Sequence, residues 1–403
     1  MNILRLLISQ PLLACVLTSA SLAAEPGPVP AVVREQFTLA PFYQKHLDVG
    51  GLPLVGSARV SDAAMAECAW IVRHMLVRRP DILQALGKAG VRFAVMAHDE
   101  YTTDIPEHSK LTPRVYWDRR ARGLGATPSA LAVSAAEENL LSFPGDPYPR
   151  EIIAIHEFGH AIHEMAMNTL DPTFDARLKL AYEKAIGAGL WKGTYAAVNR
   201  QEYWAEAVQA WFDNNAANDA LHNDTNTRVK LKAYDPGVAA LCEEVFGDIP
   251  WRYTKPANRA PADRAHLAGL AANPPRFHWR KEQVAERPRV TFQCAAGDLE
   301  LEFDAGAARE SVSKLLVQVQ DGFFSGGKAT FTEDALTLAP AAKTPDGVPV
   351  PDGTAPWRII IRGKAEPSAV RASITKGGAL IPKLIEQSTT GAGVPVQRIV
   401  RVN

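Results

Sequence analysis

The sequence predicts an α+β fold, and three observations carry the prediction. Apolar residues recur at helical spacing over residues 61–75, 150–168 and 201–214. Short apolar runs at 91–97 (VRFAVMA) and 135–143 (AAEENLLSF) have the length of strands. After Pro288 the period changes to two, giving a small β-rich part.

Taken in order, residues 1–5 carry one positive charge, residues 6–22 are mostly apolar, and Ser21-Leu22-Ala23-Ala24 offers small residues to a signal peptidase. Residues 1–24 therefore read as a secretory leader, and the mature chain as exported, periplasmic or extracellular. A retained anchor is one alternative. Another is lipidation at Cys15, within Leu12-Leu13-Ala14-Cys15. No second apolar stretch is long enough to span a bilayer, so the mature chain is expected to have no stable membrane span.

Residues 25–60 form a proline-containing lead-in. Ser61 is placed to cap a helix in which Ala64, Cys68, Ile71 and Met75 share a face. Residues 100–110 are polar and loop-like, and Arg122-Gly123-Leu124-Gly125 reads as a turn. The strand expected over 135–143 is stopped by Pro144-Gly145-Asp146-Pro147. A first domain is expected over 61–255, a linker or peripheral segment over 256–288, and the β-rich domain over 289–403. In the last, Val290, Phe292 and Cys294 alternate with polar residues, Gly297-Asp298 turns the chain, and Leu299, Leu301 and Phe303 alternate again.

The chain has 403 residues, 47% of them hydrophobic, enough for a sizeable core and two domains. Lys+Arg and Asp+Glu both total 44, so nothing calls for nucleic acid or an anionic membrane as partner. Without the leader three cysteines remain, Cys68, Cys242 and Cys294. Three are not a disulfide framework, and none lies in a CxxC pair that would hold zinc.

The chemistry sits in His156-Glu157-Phe158-Gly159-His160, an HExxH motif. Two imidazoles four residues apart leave one helix face and can grip one ion. Glu157 lies beside them, able to take a proton from a zinc-bound water. Ile152, Ile153, Ile155, Phe158 and Ile162 give the helix an apolar body, and Gly159 is small enough for another segment to pack close. A third ligand is needed. His163 shares the face, but three ligands on one straight helix cannot surround an ion. Continuation as HExxHxxGxxH fails, because position 163 is His163 and position 166 is Ala166. A carboxylate from a second helix remains. Glu202 and Glu206 stand four apart among Trp204, Ala205, Val208, Trp211 and Phe212. Buried together they need a cation or donors, which Glu202 as ligand and Glu206 as acceptor for a ligand His N–H would satisfy.

With these residues in view, residues 91–212 resemble a gluzincin zinc metallopeptidase of the anthrax lethal factor type and its bacterial relatives. In that family HEFGH is followed by Y-x6-E-(F/Y)-x-A-E, matched here by Tyr195, Glu202, Tyr203, Ala205 and Glu206, with Asn199 between. The resemblance implies a zincin-like fold: a small mixed sheet, an active-site helix below it, and a helix supplying the Glu ligand. It implies zinc as cofactor, a peptide or protein as substrate, and the Tyr195 hydroxyl as oxyanion donor. It also makes residues 135–143 the edge strand to which a substrate peptide would pair. No receptor-binding or substrate-capture part of the toxin is recognisable, so toxin function is not implied.

Residues 290–403 faintly resemble a cyclophilin-type prolyl isomerase, through VTFQCAAGDLELEFD and Asp321-Gly322-Phe323-Phe324-Ser325-Gly326-Gly327. That family continues with Phe-His-Arg, where this chain has Phe331-Thr332-Glu333. Glu333 removes the cation that polarises the prolyl amide, so no isomerase activity is expected. Two readings compete with the peptidase: a catalytically silent metal-binding or cell-surface binding protein, and an active isomerase. Intact Glu157 speaks against the first and Glu333 against the second.

Overall fold

The computed structural model describes residues 25–111, 114–279, 287–345, 347, 350, 354–362, 369–389 and 393–401; the leader expected over 1–24, with Cys15, lies outside them. The chain is α+β. Its first part runs β1 (Gly27–Pro28), α1 (Ala31–Gln36), β2 (Lys45–Val49), β3 (Leu52–Gly56), α2 (Asp62–Met75), α3 (Pro80–Lys88), β4 (Arg92–Met96), α4 (Arg114–Arg120), β5 (Gly123–Leu124), β6 (Ala132–Ala136), α5 (Glu137–Leu140) and α6 (Ile153–Ala161). It continues through α7 (Asn168–Leu170), α8 (Phe174–Gly187), α9 (Arg200–Trp211), α10 (Arg228–Tyr234) and α11 (Pro236–Phe246).

The six strands form one mixed sheet in the order β1-β2-β3-β4-β6-β5. The central pairs β3/β4 and β4/β6 are parallel, and β5 returns antiparallel to β6 with Gly123 opposite Ala135. Both faces are covered. Leu54, Phe93, Val95, Val133 and Ala135 join the helical core beneath, while Val55, Ala94, Met96, Ala132 and Ala136 meet Phe37, Leu39, Tyr43 and Ile105 on the other face. Burial on both faces explains why VRFAVMA shows no polar alternation.

The strand expected over 135–143 lies at Ala132–Ala136 and is second from the edge. Residues 137–140 coil into a helical turn, because Glu137 and Glu138 are bound as separate anchors. The Glu137 carboxylate accepts from the Ser61 and His98 amides, and Glu138 accepts from the buried Arg122 guanidinium. The edge belongs instead to β5, within the stretch expected to be only a turn.

Ser61 caps α2 by accepting from the Ala64 amide. Residues 256–279 are docked rather than loose. Arg259 and His266 both bind Glu67 of α2, which is wholly buried, and Phe277 lies under the Arg122 guanidinium. The three described cysteines, Cys68, Cys242 and Cys294, are buried and unpaired. Among the described residues no helix is long and apolar enough to cross a membrane.

Residues beyond 288 have a core of their own, built on Phe292, Leu301, Leu315, Leu316, Phe331 and Leu336. It lies among β7 (Arg289–Cys294), β8 (Gly297–Phe303), α12 (Ala305–Gln320), β9 (Lys328–Phe331), β10 (Ala335–Ala339), β11 (Trp357–Ile360), β12 (Ala372–Lys376), α13 (Ile381–Thr389), β13 (Val394–Pro395) and β14 (Arg398–Arg401). The strands form two four-stranded sheets, and β7 and β8 make the expected hairpin. Glu333 is exposed just past β9.

Candidate metal centre

Helix α6 starts cleanly because its first amides find side-chain acceptors: Ile152 N–H donates to Asn214 Oδ1 (2.7 Å) and Ile153 N–H to Asn139 Oδ1 (2.8 Å). Helix α9 is capped by Asn199, whose side chain accepts from the Glu202 amide at 2.8 Å. That assigns a local task to Asn199 and fixes the first turn of α9, where Glu202 sits. The two helices pack at Gly159, with Val208 against it and Trp204 Nε1 donating to its carbonyl oxygen at 2.9 Å.

This packing brings His156, His160 and Glu202 together, with ligand atoms within 4.8 Å of one another. Glu202 Oε2 is 3.0 Å from His156 Nε2 and 3.3 Å from His160 Nε2, and the two Nε2 atoms are 3.2 Å apart. Glu157 and Tyr195 line the same cleft, of about 550 Å³. Tyr195 stands in the turn Tyr195–Ala197, its amide bonded to Leu221 O at 2.8 Å and its ring 6.1 Å from the His156 ring.

Glu206 takes a different position from the one its spacing suggested. Its Oε1 is 3.6 Å from His156 Nδ1, while its Oε2 accepts from Asn215 Nδ2 at 2.9 Å and lies 3.5 Å from His222 Nε2. The acceptor for His156 Nδ1–H is Gln209 Oε1, at 2.8 Å, and Gln209 Nε2 donates to Glu151 at 3.0 Å. His163, the alternative ligand, faces away: its Nε2 is 3.0 Å from Asp175, which also accepts from Arg200. The helix widens into a π-turn at Ile162–Met167, directly after His160, which carries His163 off the ligand face.

The donor set suits a divalent metal. Gln209 Oε1 can only accept, so in neutral His156 the proton sits on Nδ1 and Nε2 presents a lone pair. With His156 neutral, its Nε2 lone pair faces the Glu202 carboxylate, acceptor against acceptor, with His160 Nε2 beside both, and a cation resolves that conflict. The same demand for positive charge shows in the side chains alone, where a proton on His156 takes the place of the cation. Burial pushes His156 down, but the hydrogen bond to Glu202 and the charges of Glu157, Glu202 and Glu206 hold its pKa at about 10. Burial pushes Glu202 up, yet the His160 and His156 charges hold it well below the usual carboxylate range. Glu157 is raised, by burial first. Tyr195 is raised too, by burial and then by the Glu202 charge, with Arg120 acting the other way.

Sequence reasoning missed Gln209, Arg120 and Gly125. Gln209 was findable, since it follows Glu202 and Glu206 at seven and three residues on the same helical face. Nothing in the run RRARGLG separates Arg120 from its neighbours. Gly125 is explained only by contact, because a Cβ there would lie 2.6 Å from the His160 Cβ.

No protein-family model and no curated protein matches the chain. Among solved structures, the Pro-Pro endopeptidase of Paenibacillus alvei aligns over 49% of this chain and 98% of its own, at 21% identity and a TM-score of 0.29.

Proposed function

We propose that this chain is an exported zinc-dependent endopeptidase of the gluzincin kind, acting on a peptide or protein. The observation that supports it most is the convergence of His156, His160 and Glu202 in a cleft that also holds Glu157 and Tyr195. Two imidazoles and one carboxylate are a ligand set that leaves a position open for water or substrate.

In this reading His156, His160 and Glu202 hold zinc, which would lower the pKa of a coordinated water and polarise the scissile carbonyl. Glu157 takes the proton of the attacking water and returns it to the leaving amine. Its half-buried position in the cleft suits that exchange, since desolvation raises the carboxyl above its ordinary value. The Tyr195 O–H donates to the oxyanion. In this reading the substrate pairs not with residues 135–143 but with β5, the last strand of the sheet among the described residues, where Gly123 and Gly125 keep the floor of the cleft low against Glu157 and His160.

The test is cleavage of a peptide library by wild type and Glu157→Gln, with and without chelator, beside the metal content of both. Wild type cleaves, chelator stops it, and Glu157→Gln keeps zinc without cleaving. Unchanged cleavage by Glu157→Gln overturns the assignment. Bound zinc with no hydrolysis by wild type would favour a silent metal-binding protein.

A further inference from the structure

Tyr195 is bonded to a peptide unit that is itself held at both ends. The Tyr195 amide donates to Leu221 O at 2.8 Å. On the opposite side of the same peptide unit, His222 N–H donates to Asp219 Oδ1 at 2.9 Å. The unit is planar, so these two bonds fix its tilt. It belongs to a tight turn over residues 219–222, in which Asp219 N–H donates to His222 O at 3.1 Å and Leu221 N–H to Asp219 Oδ1 at 2.9 Å. Arg150 holds the turn from outside, donating to Asp219 Oδ2 and to Ala217 O.

From inside, the turn is held by the His222 ring, which lines the cleft with Leu221 and Tyr195. Its Nδ1 is 2.8 Å from Asp219 Oδ1 and its Nε2 is 3.5 Å from Glu206 Oε2. Both ring nitrogens face carboxylates, which accept only, so the imidazolium form suits both. Burial pushes the His222 pKa down, but the Glu206, Glu151 and Asp219 carboxylates hold it at about 9. Glu206 is buried on α9, one turn beyond Glu202, and its Oε2 also accepts from Asn215 Nδ2 at 2.9 Å. A continuous chain therefore runs from the helix that carries Glu202, through Glu206, His222 and the 221–222 peptide, to the Tyr195 amide.

We propose that His222 is a positioning residue acting through Tyr195: by bridging Asp219 to Glu206 it locks the 219–222 turn to α9, and so holds Tyr195 at a fixed place relative to His156, His160 and Glu202. This rests on the peptidase reading above. Tyr195 stands in the short turn Tyr195–Ala197 between α8 and α9, so its neighbours must set its place. Tyr182 Oη holds one end of that turn, on Ala197 O at 2.9 Å, and Leu221 O holds the other. An oxyanion donor works only within hydrogen-bonding distance of the charge that develops, and a misplacement of about 1 Å can cost about a hundredfold. His222 touches no reacting atom in this role, because both its nitrogens are engaged within the protein.

Two substitutions separate this role from a purely local one. His222→Asn keeps a donor near the Nδ1 position, toward Asp219, and is too short to reach Glu206. His222→Gln puts its donor near the Nε2 position and keeps that reach. Hydrogen exchange of the Tyr195 amide, resolved to single residues by mass spectrometry, is read on the zinc-free proteins. Zinc uptake, thermal unfolding and kinetics on one peptide cleaved by wild type are read beside it. His222→Asn should speed exchange at Tyr195 roughly tenfold or more, while the amides of α2 keep their protection. It should take up zinc as wild type does, with kcat roughly ten- to a hundredfold lower and KM within about twofold. His222→Gln should recover most of both losses. In a Tyr195→Phe background His222→Asn should cost no more than about twofold further, since the two residues act as one unit. Glu206→Ala cuts the same contact from the α9 side and should speed exchange at Tyr195 likewise, which covers a His222 variant that fails to fold.

Unchanged exchange at Tyr195, or losses that multiply in the double variant, overturn the proposal. So does the reverse ranking, with His222→Asn sound and His222→Gln impaired, which would confine His222 to its own turn. Failure of His222→Asn to take up zinc also overturns it, because the Glu206 contact would then serve the ligands rather than Tyr195. Wild-type turnover with an indifferent His222→Asn removes this inference and leaves the peptidase reading standing. A wild-type protein that takes up no zinc and cleaves nothing overturns both.

Discussion

Gln209, and not a carboxylate, accepts the Nδ1–H of His156, at 2.8 Å. A neutral amide fixes the ring tautomer without adding charge next to a site that already contains Glu157, Glu202 and Glu206. Gln209 is itself held by Glu151, so the support is a two-step relay. Gln209→Leu should therefore leave the ring free to rotate and weaken zinc binding by roughly ten- to a hundredfold, with the fold retained. Competition against a chelator measures it, and an affinity unchanged within twofold would show that packing alone orients His156.

Glu202 and Glu206 make opposite predictions although they are one turn apart. Glu202 Oε2 lies within 3.3 Å of both imidazole Nε2 atoms, whereas Glu206 is engaged by Asn215. Glu202→Ala should abolish stoichiometric zinc in the purified protein. Glu206→Ala should retain most of it, because the tautomer of His156 is set elsewhere. Elemental analysis decides, and the reverse pattern would exchange the two roles.

Much of this arrangement is legible in the residues themselves. HExxH with its apolar flanks announces a ligand pair on a helix, and the carboxylate four residues before Glu206 completes it. The sheet edge departs from the sequence expectation for a physical reason. AAEENLLSF is apolar enough for a strand, but Glu137 and Glu138 are recruited by groups far away in sequence, Ser61, His98 and Arg122. Local pattern cannot carry that information. The same holds for residues 256–279: their Pro, Ala and Arg content leaves linker and peripheral segment equally open, and the contact of Arg259 with Glu67 lies far away in sequence. Gly125 belongs to the same class, since the need for it comes from His160 across the cleft.

His108 gives the stability a pH dependence of known sign. It is 2% exposed against β6, on the face away from the helical core, with Nε2 3.2 Å from Ser134 Oγ, and burial lowers its pKa from 6.5 to about 4 against the opposing charge of Glu107. The folded chain keeps it neutral while the unfolded chain protonates it below pH 6.5. Its contribution is whole above pH 6.5 and is lost progressively as the pH falls to about 4. The shift corresponds to about 3 kcal/mol. Denaturant melts of wild type and His108→Asn should converge by that order between pH 7 and 4. Parallel curves would mean that His108 reaches solvent when charged.

Glu67 offers a test of the docked segment. Its carboxylate is wholly buried and faces the Arg259 guanidinium, itself 2% exposed and stacked 3.9 Å over the Trp70 ring, with His266 at 2.8 Å. Glu67→Ala leaves a buried guanidinium without its counter-charge, which costs about 3–5 kcal/mol. Equilibrium unfolding measures the loss. A cost under about 1 kcal/mol would mean that residues 256–267 lift off and let Arg259 into water.

Gly125 in the cleft and Gly159 at the contact between α6 and α9 should respond in opposite ways to the same methyl group. At Gly125 a Cβ would stand 2.6 Å from the Cβ of His160 and 3.3 Å from its ring, so either the strand edge or the ligand must move. At Gly159 the nearest atom to an added Cβ is the Val208 Cβ at 3.4 Å, an ordinary contact, and the position is mid-helix. Gly159→Ala should then be neutral or stabilising, by up to about 1 kcal/mol from helix propensity. Gly125→Ala should displace His160 and cut zinc affinity and cleavage together, roughly tenfold or more, since small misplacements at a reacting centre are costly. Chelator competition and unfolding curves for the pair check this. Equal effects would mean that the cleft wall yields freely, contrary to the close approach of β5 to α6.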